Sequence, residues 1–196
     1  MRRNADITAA ILAGGEGRRV GGADKGLLLL AGKPLIEHVA MALREQTGTI
    51  LICANRHPDR YAHFAEVISD TMPGFRGPLA GIVSAFAHCR TDWLLTVPVD
   101  APSPPADLVP RLLAAANAVG ADAAVVHDGG RRQPLFALYR QHLASSAAAA
   151  LQADAPVHRW QDEIGAVETD FFDLARSFAN LNTLEEFRDW EKLHVP

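Results

Sequence analysis

A chain of 196 residues with 48% apolar side chains, 19 Lys and Arg and 23 Asp and Glu has room for one domain with a sizeable core. Its net charge of −4 argues against general nucleic-acid binding, which needs a positive field, yet leaves room for a local cationic site. The two cysteines, Cys53 and Cys89, make no disulfide framework, and the eight histidines show no HExxH or zinc-like cluster.

The N-terminal run MRRNADITAA lacks a signal-peptide pattern, and its apolar part is too short to span a membrane. A cytoplasmic protein is expected. Ile7–Leu12 reads as a first strand, apolar nearly throughout, as when both faces of a parallel strand are covered. A long glycine-rich loop follows. Pro34 then suits the first turn of a helix, whose apolar face is Leu35, Ile36, Val39, Ala40 and Leu43. Ile50–Cys53 and Val67–Ser69 read as strands, Leu79–His88 as a helix, and Trp93–Val99 as a strongly apolar strand ended by Asp100-Ala-Pro.

Further on, Ala106–Ala118 reads as a helix, Ala123–His127 as a strand, Asp128-Gly-Gly as a turn and Pro134–Tyr139 as a strand. The second half therefore contains an antiparallel excursion. Gln141–Asp154 is helical in pattern. Residues 156–170 are hard to place; Trp160 there reads as a packed side chain beside a solvated Arg159, the alternative being that the two help hold an anionic ligand. Thr183-Leu-Glu-Glu186 fits a capping box ahead of a last helix. Strands alternating with helices predict an α/β fold of three layers, αβα, around a mostly parallel, Rossmann-like sheet. Ligands then bind beyond the carboxyl ends of the strands.

Four segments fall at those ends. The first is LAGGEGRRVGGADKGL, residues 12–27. Its glycines let backbone N–H groups approach a ligand, and Arg18, Arg19 and Lys25 add cations, so the loop suits a di- or triphosphate. It is neither GxGxxG, because Val20 stands at the third glycine position, nor GxxxxGK[ST]. Asp70 and Asp100 follow two strands and suit Mg²⁺, a hard ion that shares phosphate oxygens with one or two carboxylates. Gly77-Pro-Leu-Ala-Gly81 opens a helix, where an anion is favoured. Cys53-Ala-Asn55-Arg56 closes a strand, and Asn55 has the groups to bond a base or sugar.

Taken together, LAGGEGRRVGGADKGL, GKPLIEHV, ANRH, GPLAG, PVDAP, HDGGRRQPLFAL and NLNTLEE, in that order, resemble the molybdenum cofactor guanylyltransferases of the nucleotidylyltransferase superfamily. The resemblance covers nearly the whole chain. It implies a single nucleotidyltransferase domain over 1–196 of the nucleotide-diphospho-sugar transferase type, with a nucleotide-binding first half and an acceptor-binding second half.

It also implies transfer of GMP from GTP to molybdenum-bearing molybdopterin with Mg²⁺ present. Lys25, Arg19 and Asp100 would be catalytic, with Asp100 holding the metal. Leu12, Ala13, Gly14, Gly15, Cys53, Asn55, Asp70 and Gly77, with Lys25 and Asp100, would bind the nucleotide. Asn180 and Asn182 would serve the pterin. A monomer in transient contact with molybdoenzymes or their chaperones is expected, with no nucleic-acid or membrane partner. Three departures stand out: Cys53 where the family often has Asn, Val20 for a common Met, and Gln133 where His is frequent. Cytidylyl transfer, sugar-phosphate nucleotidylyl transfer and a non-catalytic GTP carrier are the alternatives.

Overall fold

The computed structural model describes residues 4–14, 24–69 and 77–194. Its main sheet has seven strands in the order β5 (Glu66–Ile68), β4 (Thr47–Cys53), β1 (Asn4–Leu12), β6 (Trp93–Pro98), β8 (Arg132–Arg140), β7 (Ala123–His127) and β9 (Val167–Asp170). β1 lies parallel between β4 and β6, with Ala10 opposite both Leu51 and Thr96. All six residues of β6 are buried, which is why that segment reads as strongly apolar, with Thr96 its one polar side chain.

The antiparallel excursion is β8, which opposes both β6 and β7. The chain reverses into it at Asp128, whose Oδ1 accepts from the backbone N–H groups of Gly130 and Arg131, each at 2.8 Å. The β7–β8 register jumps from Val125–Ala137 to Val126–Gln133. Pro134 falls in the skipped stretch, where its missing N–H costs no ladder bond.

Alternation along the strands divides the core. Ile7, Ile11, Leu95, Val97 and Phe136 face α1 (Leu35–Arg44) and α4 (Leu108–Val119). Ala10, Leu51, Leu94 and Tyr139 face α3 (Pro78–His88), α5 (Ala144–Gln152) and α6 (Val157–Glu163). The α1 residues buried are the five that its sequence pattern picks out.

Several details differ from the sequence reading. The long loop contains a 3-10 turn, Lys25–Leu27, and a small hairpin of β2 (Leu29–Leu30) with β3 (Lys33–Pro34). Pro34 therefore ends that hairpin, at the N-cap of α1 rather than inside its first turn. A short helix, α2 (Pro58–Tyr61), follows β4, and the stretch 141–154 splits into a 3-10 turn and α5. Residues 156–170, unreadable by periodicity, form α6 and β9. The last helix, α7 (Leu184–His194), starts with the expected box: the Thr183 N–H donates to Glu186 Oε2 at 2.7 Å, and the Glu186 N–H to Thr183 Oγ1 at 3.2 Å. Leu181 and Phe187 bury against Leu30 and Leu35, pinning the C-terminal strap to the hairpin. Among the described residues no helix is long and apolar enough to cross a membrane.

Candidate active site

The connection from β1 leads to one side, to β4, whereas β6 lies on β1's other side, so the strand order reverses between β1 and β6. An open α/β sheet has its crevice at such a point. A cavity of about 210 Å³ lies there. Leu12, Ala13 and Gly14 come from the end of β1, and Pro98, Val99 and Asp100 from the end of β6. The two ends are tied together, because the Val99 N–H donates to Leu12 O at 3.2 Å. Asp24 and Lys25 close the cavity from the loop side, and Pro78 from the start of α3.

Lys25 is the centre of the polar contacts. Its Nζ donates to Asp100 Oδ2 at 2.8 Å and to Asn182 Oδ1 at 2.7 Å. The Lys25 and Asp100 side chains are 19% and 22% exposed, half-sheltered enough to be ordered yet open to a ligand. Leu181 N–H donates to Asp100 O at 2.8 Å, so the strap holds both the side chain of Lys25 and the backbone of Asp100. Residues 75 and 157 positions from Lys25 in sequence thus meet at one ammonium.

Asp24 is the site residue that sequence reasoning passed over. Its Oδ1 accepts from the Tyr61 hydroxyl at 2.5 Å. Burial, reinforced by the bond to Asp24 and by that carboxylate's charge, pushes the Tyr61 phenol far above its ordinary value, so Tyr61 is the donor. The acidic residue beside Lys25 was a visible signal in the sequence. Tyr61 gave none, since α2 is too short for a periodic pattern.

Gly26 fits this packing closely. A Cβ there would come within 2.4 Å of Tyr61 Oη and 3.0 Å of Val99 Cγ2. Gly26→Ala is expected to cost about 1–3 kcal/mol through overpacking, read as a lower denaturation midpoint. A wild-type midpoint would contradict the close fit.

The other expected residues scatter around this centre. Gly77, at φ +75°, is the N-cap of α3, in a conformation that favours glycine. Cys53 is buried, with its thiol 3.5 Å from the Gly81 carbonyl on α3. It does not line the cavity, but its carbonyl accepts from the Ala13 N–H at 3.0 Å. Asn55 is exposed just beyond β4. Gly15, Arg19 and Asp70 lie outside the described residues.

A second cavity of about 230 Å³ shares Pro98 and Leu135 with the first and is lined also by Arg131, Gln133 and Asn180. Asn180 Oδ1 is buried there without a hydrogen-bond partner. Gln133 Nε2 donates to Asp128 Oδ2 at 2.6 Å. The two asparagines stay in contact, the Asn182 side-chain amide donating to Asn180 O at 3.4 Å, but their side-chain oxygens differ in place, that of Asn182 on Lys25 and that of Asn180 by the neighbouring cavity.

Among the described residues no three His, Cys, Asp or Glu side chains converge as a metal cage. Two carboxylates, Asp24 and Asp100, line the first cavity. That donor set fits a Mg²⁺ ion that arrives with phosphate oxygens and keeps water ligands, since such an ion needs only one or two carboxylates.

Comparisons with known proteins agree with this architecture. The family described as MobA-like NTP transferase domain matches residues 9–167. A protein of Shewanella putrefaciens named molybdenum cofactor guanylyltransferase is 46% identical over 182 residues, covering 92% of this chain and 93% of its own. One of the same name from Cupriavidus pinatubonensis is 44% identical over 193 residues, covering 95% and 96%. The crystal structure of molybdopterin-guanine dinucleotide biosynthesis protein A from Archaeoglobus fulgidus superposes with a TM-score of 0.78 at 24% identity, covering 95% and 97%. At that identity it speaks for the fold.

Proposed function

We propose that this chain, which belongs to the MobA-like NTP transferase family, is a guanylyltransferase that joins GMP from GTP to molybdenum-bearing molybdopterin and releases pyrophosphate. The observation that carries this reading is the end-to-end likeness to relatives named molybdenum cofactor guanylyltransferase, at 44% and 46% identity over more than nine-tenths of both chains. The paired Lys25 and Asp100 at the crevice of the sheet supply the chemistry such a transfer needs.

In the reaction a terminal phosphate oxygen of the acceptor attacks the α-phosphorus of GTP. The new P–O bond forms as the bond to pyrophosphate breaks, and the leaving group carries the electron pair away. Positioning and charge stabilisation do most of the work in such a step. Leu12, Ala13 and Gly14 would seat the guanosine end through backbone groups, with Gly15, Asn55 and Asp70 as further nucleotide contacts. Lys25 and Arg19 would balance charge on the triphosphate and the departing pyrophosphate, and the α3 N-terminus at Gly77 would favour the same anion.

Asp100 would hold Mg²⁺, which when bound supplies Lewis-acid charge to the phosphate oxygens. The acceptor would occupy the neighbouring cavity, where the unpartnered Asn180 Oδ1 can accept from a pterin N–H, and Asn182 would border its phosphate. The attacking group is already an anion, so the site requires no general base. The cysteines play no covalent part.

The test is incubation with labelled GTP, Mg²⁺ and molybdopterin. Pyrophosphate release and a guanine dinucleotide product with GTP, at least ~10-fold faster than with CTP, are expected, because the site would then read the base through specific hydrogen bonds. Equal or faster turnover of CTP would replace this reading with cytidylyl transfer. Acceptance of a sugar phosphate in place of the pterin would overturn the acceptor. GTP binding without turnover would make the chain a carrier.

A further inference from the structure

Lys25 reaches the cavity on a four-carbon stem rich in rotamer freedom, and two hydrogen-bonded tethers restrain it. On one side Tyr61, wholly buried at the end of α2, donates to Asp24 Oδ1 at 2.5 Å. The Asp24 carbonyl accepts from the Leu27 N–H at 3.1 Å, closing the turn on which Lys25 sits. On the other side Glu186 Oε2 accepts from the Asn182 N–H at 2.5 Å and from the Thr183 N–H at 2.7 Å. Asn182 in turn presents Oδ1 to Lys25 Nζ at 2.7 Å. Neither Tyr61 nor Glu186 lines the cavity.

We infer that Tyr61 and Glu186 are positioning residues for the transfer, holding the Lys25 ammonium beside Asp100 through Asp24 and Asn182 respectively. This rests on the reading of Lys25 as the cation that serves the phosphates. Each tether has a definite polarity. The Tyr61 hydroxyl donates to the Asp24 carboxyl, whereas Glu186 Oε2 accepts from two backbone N–H groups. A capping box by itself stabilises only a helix start. This one begins one residue earlier, at Asn182, and so reaches the site. An ammonium released from either tether keeps its charge but loses its address, and small displacements of a charge-stabilising group are costly in rate.

Conservative variants test this. Tyr61→Phe keeps the buried ring and removes the hydroxyl. Glu186→Ala removes the acceptor, and Glu186→Gln restores a carbonyl in its place. Steady-state kinetics with GTP would be paired with the rate at which an amine-acylating reagent modifies Lys25, read by peptide mass spectrometry below the melting range. For Tyr61→Phe and Glu186→Ala we expect kcat to fall on the order of 10-fold while KM for GTP stays within about 2-fold, the pattern of an interaction realised in the transition state. Lys25 acylation should rise several-fold in both, and Glu186→Gln should recover part of each change.

Wild-type kcat and wild-type Lys25 labelling in Tyr61→Phe and the Glu186 variants, beside an inactive Lys25→Ala, would overturn the inference and leave the phosphate-site reading standing. A lowered melting temperature with those two readouts unmoved would count the same way. Should Glu186→Ala not fold, Tyr61→Phe and Glu186→Gln decide. Full turnover in Lys25→Ala would remove the reading of Lys25, and the inference with it.

Discussion

Asp100→Ala is expected to lower turnover at least ~100-fold, the scale of losing one electrostatic stabiliser, with the fold intact. The separation of the two effects lies in the geometry. The strap is anchored to the backbone carbonyl of Asp100 through the Leu181 N–H, and alanine keeps that carbonyl. Only the carboxylate is lost, and with it the partner of Lys25 at 2.8 Å and the proposed seat of Mg²⁺. Asp100→Asn should fall almost as far, because it keeps the size and loses the charge. The requirement for Mg²⁺ should also shift to higher concentration in both. Wild-type kcat in a folded Asp100→Ala protein would remove Asp100 from the chemistry and reduce its pairing with Lys25 to a structural ion pair.

How much of this was legible beforehand depends on whether a feature is local. The strands β1, β6 and β7 and the buried face of α1 were readable because their signals, mostly apolar runs and a 3.6-residue period, need no partner to be seen. The crevice was readable at one remove, from the rule that ligands lie at strand ends. Lys25 and Asp100 fell there by that rule, and they line the same cavity. What could not be read was mutual arrangement. Nothing in NLNT says that Asn182 turns to Lys25 while Asn180 turns to a separate cavity.

Cys53 illustrates the same limit from the other side. Its position just before Ala-Asn-Arg, where the resembled family often has Asn, implied a nucleotide contact, yet its thiol is turned to Gly81 on α3, and its carbonyl reaches the β1 end through Ala13. A strand's alternation decides which side chains face the sheet's cover. Whether a strand-end residue faces cover or crevice requires the register as well.

Trp160→Ala is expected to cost about 3–5 kcal/mol of stability, the range for truncating a large buried aromatic, and to leave KM for the pterin acceptor unchanged. Trp160 is wholly buried on α6. Its ring lies 4.9 Å from that of Tyr139 and edge-on to Phe86 at 6.4 Å, and its indole N–H donates to Ser146 Oγ at 3.0 Å. One side chain therefore joins α6 to β8, α3 and α5, and its removal both opens a cavity and takes a donor from the Ser146 hydroxyl. Neighbouring Arg159 is exposed and pairs with Glu163 one turn on, an arrangement worth little to stability. Trp160→Phe should recover part of the loss, since it refills the ring volume but not the hydrogen bond. Denaturant unfolding measures the first effect and acceptor titration the second. A near-wild-type midpoint combined with a raised acceptor KM would reverse the assignment and make Trp160 a surface for the pterin.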